Sequence, residues 1–216
     1  MSNAPVDLAI KRTPRQRRAV ETYERILDVA TKLLVEIGVE RISTNLIAAE
    51  AGVTVPTLYR YFPNKYAVLM ALGDRLMTAQ NVLIAGWLEQ MHEVTNPEAL
   101  MDDIYSLISD TIEVTRATPG ALAISLSLRA VPTLQDVRLS SHRAMSDAIT
   151  DEFHRHLPDV PRVEIWERVR ISVELSYAAI EMALEEPRVS DSRIAEETAA
   201  QMMAYWRHQL TQWQKE

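Results

Sequence analysis

From about Arg15 to Trp213 apolar residues return every three or four positions, and period-two alternation over several residues is hard to find. Helices are therefore the economical building blocks and strands have almost no support. Five glycines and ten prolines are the only strong punctuation. Pro97, Pro119, Pro132, the Pro158/Pro161 pair and Pro187 divide the second half into helices expected at about 97–117, 119–130, 133–156, 161–185 and 191–213. Ahead of them, a long helix is expected from about Arg15 to Ile37. Its Ile26, Ala30, Leu33 and Ile37 form one stripe with Leu27 and Leu34 beside it, and Gly38 suits a left-handed stop.

Between these regions the pattern shortens. Ser43 is placed to cap a helix over 44–51, Ala51-Gly52-Val53 to turn, and Thr54 to cap a second short helix through about Tyr61. Pro63-Asn64 ends that piece and opens a helix from Lys65 to about Met91, roughly 40 Å of rod at 1.5 Å per residue. Ile47, Ala48, Val53, Leu58 and Phe62 are the apolar positions expected to face the first helix.

Charge is distributed unevenly. The chain carries a formal net charge of -7, but residues 1–65 hold ten Lys/Arg against seven Asp/Glu and the remainder thirteen against twenty-three. A basic front on an acidic body suits a molecule that meets a polyanion at one end. The basic arm before the first helix, Lys11, Arg12, Arg15, Arg17 and Arg18, offers minor-groove or backbone contacts, or serves only as a solubilising tail. With no cysteine, disulfides, thiolate metal sites and a cysteine nucleophile are excluded. The polar, basic first 25 residues and the lack of an apolar run near the roughly 20 residues of a membrane span lead us to expect a soluble cytoplasmic chain with no membrane partner.

Two short helices joined by a glycine turn match the helix-turn-helix plan, in which the second helix enters the major groove. In Ser43–Lys65, STNLIAAEAGVTVPTLYRYFPNK, the small Ala48 permits close crossing, and Leu58 and Phe62 anchor the second helix from behind. Val55, Pro56, Thr57, Tyr59, Arg60 and Tyr61 are expected to point outward. Core filling is the competing role for Tyr59 and Tyr61, but one helical turn has no room to bury Leu58, Tyr59, Tyr61 and Phe62 on the same side. Pro56 fits a first turn, where its missing amide hydrogen has no intrahelical use.

Residues 21–72 resemble the DNA-binding domain of the tetracycline-repressor (TetR) family. The shared pieces are the ERILDVATKLLVEIG helix, the S-x-x-x-I-A-x-x-A-G-V-T turn and T-L-Y-R-Y-F-P-N-K leading into the long helix. The resemblance implies an all-α chain with an N-terminal three-helix helix-turn-helix domain and a larger C-terminal helical domain for ligand binding and dimerisation. The expected divisions are a flexible basic arm over 1–14, a DNA-binding domain over 15–65 and a body over 66–216. It also implies that Ser43, Thr57, Tyr59, Tyr61 and Lys65 hold phosphates, that Val55, Pro56 and Arg60 approach base edges near the capping Thr54, and that a homodimer on operator DNA responds to a small-molecule inducer. Leu46, the Val55-Pro56 pair and Tyr66 depart from the family pattern, which alters operator preference without removing a phosphate anchor.

In the body, aromatic, methionine and isolated charged residues on inward faces are the inducer-contact candidates: Trp87, Met91, Met101, Tyr105, Ile108, Leu126, Arg129, Met145, Trp166, Arg170, Glu174 and Tyr177. Ordinary core packing is the competing role for each, and Arg170 and Glu174 are spaced to pair with each other. The last two helices are apolar on more than one side. On 161–185, Trp166, Val169, Val173, Tyr177, Ile180 and Leu184 make one stripe and Ile171, Leu175, Ala178 and Met182 another. Such helices pack their own core on one side and a symmetry mate on the other. Val173, Tyr177, Ile180, Leu184, Ala199, Met202, Trp206 and Leu210 are the dimer candidates. The five histidines have no partners at metal-ligand spacing, and no phosphate loop or serine elbow is present, so neither metal, cofactor nor enzymatic activity is expected.

Overall fold

A computed structural model of the chain describes residues 16–91 and 103–213. Nine α-helices are described: α1 (Arg17–Arg41), α2 (Thr44–Glu50), α3 (Val55–Tyr59), α4 (Lys65–Met91), α5 (Ile104–Ala117), α6 (Ala121–Ala130), α7 (Gln135–His156), α8 (Arg162–Glu185) and α9 (Asp191–Trp213), with a 3-10 turn over Pro132–Leu134. The fold is all-α, as expected. Gly38 breaks α1 at φ +75°, where a side chain would be strained, and one further turn reaches Arg41. Asn64 opens α4, its Oδ1 accepting from the Ala67 amide at 3.0 Å.

By packing, the chain falls into two compact units. One reaches to Met77 and adds Thr118–Arg138; the other holds Thr78–Ala117 and resumes at Leu139. The unit bearing the short helices is thus larger than the 15–65 read from the sequence, because the first turns of α4 and all of α6 pack with it.

In this first unit Ile26, Leu27, Ala30, Ile47, Ala48, Leu58, Phe62, Val68 and Leu72 are all at most 2% exposed. Helix α6 approaches α1 through Gly120, whose φ is +71° and where a Cβ would lie 2.6 Å from Thr31 Cγ2. Thr31 is buried and its hydroxyl donates to the Leu27 carbonyl at 3.0 Å, so its methyl has little freedom to yield. Gly120→Ala should therefore cost about 2–4 kcal/mol, combining left-handed strain with overpacking. Gly86→Ala, within α4 and with nothing within 4 Å of an added Cβ, should instead stabilise by about 0.5–1 kcal/mol. Urea denaturation followed by circular dichroism measures both.

The second unit buries Ile84, Trp87, Met91, Ile108, Met145, Phe153, Val169, Tyr177, Ala195, Trp206 and Leu210 in one core. Within it Gln80 Nε2 donates to Thr115 Oγ1 at 2.8 Å, and Trp206 Nε1 to Ser172 Oγ at 3.1 Å. These bonds satisfy polar groups that the packing removes from water.

Candidate functional site: a nucleic-acid interface and an apolar cavity

The turn between α2 and α3 is built as its residues dictate. Ser43 Oγ accepts the Leu46 amide at 3.2 Å and Thr54 Oγ1 the Thr57 amide at 3.4 Å, so each short helix has its own cap. Gly52, at φ +61°, reverses the chain while the Val53 amide closes on the Ala48 carbonyl at 3.0 Å. Leu58 and Phe62 are wholly buried behind α3. Outward lie Ser43, Thr54, Pro56 and Arg60, all exposed, with Val55 and Thr57 half-buried beside them. The Thr54 and Thr57 hydroxyls are 2.8 Å apart.

Tyr59 is 40% exposed, and its hydroxyl lies 3.2 Å from Thr44 Oγ1. That bond between α2 and α3 holds the phenol at the outer surface, and Thr44 is a positioning residue that no sequence spacing revealed. Tyr61 corrects the outward assignment. It is 3% exposed, its ring edge-on to Tyr23 at 5.9 Å, while Phe62 stacks on Tyr23 at 5.1 Å. Tyr23 on α1 supplies an aromatic slot that accepts both residues. The helix ends at Tyr59, so the following turn carries Tyr61 inward, and the Arg60 guanidinium lies 5.9 Å from its ring.

Lys65 is half-buried, its ammonium donating to the carbonyls of Val39 at 3.0 Å and Glu40 at 3.4 Å. It thus closes the C-terminal end of α1, where a cation is favourable. Arg17 and Arg18 are exposed, Arg17 pairing with Glu21 at 3.0 Å. Arg15 and the arm before it lie outside the described residues.

A cavity of about 70 Å³ lies in the second unit, walled by α4, α5, α7, α8 and α9. Of the inducer candidates, Trp87, Ile108, Met145 and Tyr177 line it. Met91 is buried in the same core without reaching it. Tyr105 is 39% exposed and Trp166 half-buried, neither on the wall. Leu126, 46% exposed, and Arg129 belong to α6 in the first unit. Arg170 and Glu174 form an ion pair at 2.9 Å, and Glu174 also meets His142 Nδ1 at 3.2 Å; neither lines the cavity. Met101 lies outside the described residues.

The dimer candidates need the larger correction. Val173, Tyr177, Ile180, Met202 and Trp206 line the cavity, Ala199 and Leu210 are buried in the same core, and Leu184 is half-buried. The other stripe of α8 faces out instead. Ile171 is 60% exposed, Leu175 61% and Met182 43%, with Ala178 exposed between them; Tyr205 on α9 is also exposed. Hydropathy is similar on the two faces. On the inner one the small Ser172 and Ser176 line the cavity beside Val173 and Tyr177.

Among the described residues no group of three or more His, Cys, Asp or Glu is placed to hold a metal ion, and no helix is long and apolar enough to cross a membrane.

Residues 26–72 match the family model for bacterial regulatory proteins of the tetR family. The chain is 33% identical over 112 residues to the nucleoid occlusion factor SlmA of Pasteurella multocida, a match covering 51% of this chain and 53% of that protein. The chain thus spans about half the length of that curated relative. In structure it is similar to the fatty acid degradation regulator FadR of Bacillus halodurans (TM-score 0.64, 16% identity, 88% of this chain and 97% of that one). It is also similar to a tetR-family transcriptional regulator from Streptomyces coelicolor (TM-score 0.59, 20% identity, 91% and 86%). With capped short helices α2 and α3 on either side of Gly52, a segment over residues 26–72 that matches the tetR family model and this helical body, the chain has the TetR-family fold.

Proposed function

We propose that the protein is a ligand-responsive transcriptional repressor. As a homodimer it binds a pseudo-palindromic operator through α3 and leaves that operator when a small molecule enters the body cavity. The observation that carries the DNA reading is the outer surface of α2 and α3. Caps and a glycine turn hold it rigid, Leu58 and Phe62 anchor it, and it presents hydroxyls, a proline and a guanidinium with no carboxylate among Thr54–Arg60. Tyr59 and Thr57 suit phosphates, and Arg60 and Pro56 suit base edges. Two copies would place their α3 helices about 34–36 Å apart, one turn of DNA.

The exposed α8 stripe is the dimer surface in this reading, because contiguous apolar patches on a soluble chain mark a partner. Helix α4 carries the signal: its Ile84 and Trp87 line the cavity, while its first turns belong to the unit with the helix-turn-helix. A coupling of about 1–3 kcal/mol, or 5- to 150-fold, is usual for such a switch, and it is reciprocal, so operator DNA weakens effector binding by the same factor. The cavity favours this reading over a DNA binder with no small-molecule input.

Operator affinity measured on variants tests the interface. Tyr59→Ala should weaken binding about five- to tenfold at unchanged thermal stability. Lys65→Ala should lower stability by about 0.5–1.5 kcal/mol through the lost α1 cap, and weaken operator binding if the lysine also reaches a phosphate. Loss of stability with full DNA affinity assigns Lys65 to structure alone, and unchanged affinity in Tyr59→Ala contradicts the proposed interface.

A further inference from the structure

The cavity wall is apolar apart from a few groups whose hydrogen bonds indicate what the site lacks. Thr111 Oγ1 donates to the Leu107 carbonyl at 2.6 Å, Ser176 Oγ to the Ser172 carbonyl at 2.9 Å, and Ser172 Oγ accepts from Trp206 Nε1 at 3.1 Å. Two residues of the wall carry a buried polar atom with no partner: Trp87 its Nε1 and Tyr177 its Oη. Trp87 is 7% and Tyr177 6% exposed. An indole N–H can only donate. Burial raises the pKa of the Tyr177 phenol, so it keeps its proton and donates too. The Tyr177 ring is held by stacking on His142, centroids 4.0 Å apart and planes 13° from parallel. The unmet demand of the cavity is therefore for acceptors.

No Lys, Arg, Asp or Glu is among the described residues of the wall. A buried ion with no counter-charge is strongly disfavoured, which selects against carboxylates and ammonium groups alike. At about 70 Å³ the cavity is several times the roughly 10–15 Å³ that one water needs, and its apolar lining gives water little to bind. A single ring or short chain fits. Anything larger needs Met145 and Met202 on the wall to re-pack, as their unbranched side chains allow.

We propose that the cavity takes an uncharged, mainly apolar molecule with a carbonyl-type acceptor, held by hydrogen bonds from Trp87 Nε1 and Tyr177 Oη. This rests on the cavity being the effector site, and it deepens that reading by naming the ligand's chemistry. The same wall would reject an anionic analogue of equal size.

Displacement of a neutral naphthylamine dye from the full chain, near neutral pH, tests the proposal with three matched probes: acetophenone, ethylbenzene and benzoate. Acetophenone should bind about three- to tenfold more tightly than ethylbenzene, and benzoate at least about a hundredfold more weakly than acetophenone. Tyr177→Phe and Trp87→Phe should each remove about three- to tenfold of the acetophenone affinity while leaving ethylbenzene unchanged, which also shows that the variant cavities are folded. Benzoate competing as well as acetophenone, a ketone advantage that survives both substitutions, or no displacement by any probe would each overturn the assignment. Acetophenone binding that follows this pattern but leaves operator affinity unchanged keeps the ligand chemistry and removes the switch, so the two failures are distinguishable.

Discussion

Replacing Phe62 with alanine is expected to destabilise the helix-turn-helix unit by about 3–5 kcal/mol and to abolish its binding to DNA. Phe62 is wholly buried, stacks on Tyr23 at 5.1 Å and lies 6.4 Å from the Tyr61 ring. Truncation would open a cavity behind α3 that its short backbone cannot close. The loss is a large share of the 5–15 kcal/mol by which folded domains are ordinarily stable. All four tryptophans, Trp87, Trp166, Trp206 and Trp213, belong to the other unit, so their emission reports that unit alone. The variant should lose helical circular dichroism at lower urea while the tryptophan transition moves much less. A circular dichroism midpoint equal to that of the parent chain would show that α3 is not anchored as described.

Leu175→Asp is expected to convert the proposed dimer into a monomer, raising its dissociation constant by on the order of a hundredfold or more. Leu175 is 61% exposed in the protomer, between exposed Ile171 and Met182, so the substitution leaves the protomer's core intact. At a two-fold interface each substitution counts twice, and the two carboxylates would be desolvated in like-charge company. Sedimentation velocity should show half the mass, with the helical circular dichroism of the protomer unchanged. Tyr177→Phe, inside the core, should leave the dimer whole. A Leu175→Asp chain that still sediments as a dimer would place the interface elsewhere.

Much of the fold is legible in the sequence because its boundaries are set by local chemistry. The start of α4 at Lys65 is read where it is observed, and Gly38, Gly52, Ser43 and Thr54 act as stop, turn and caps. Such features depend on φ preferences and short-range bonds that a single segment encodes. The place of Tyr61 is not legible, for the opposite reason. Its burial depends on Tyr23, some forty positions earlier, which no helical period connects to it. The same holds for the two faces of α8, since Val173, Tyr177 and Ile180 are no more apolar than Ile171, Leu175 and Met182. Only packing against α5, α7 and α9 decides which stripe faces inward. The cavity is only partly legible: Trp87, Ile108, Met145 and Tyr177 are among the expected contacts, but Ser172, Ser176 and Thr111, which leave space between larger neighbours on different helices, are not.

Recovery of bound fragments from bacterial genomic DNA with the purified chain, over a range of salt, shows whether the α2–α3 surface reads duplex DNA as part of a dimer. A pseudo-palindrome with half-sites about one helical turn apart should be enriched. Affinity should fall by about a thousandfold between low and moderate salt if six or more phosphates are contacted, and Tyr59→Ala should recover the same sequence more weakly. Recovery of no sequence at any salt, or of a site whose affinity ignores both salt and Tyr59, would contradict a DNA-reading α2–α3 surface.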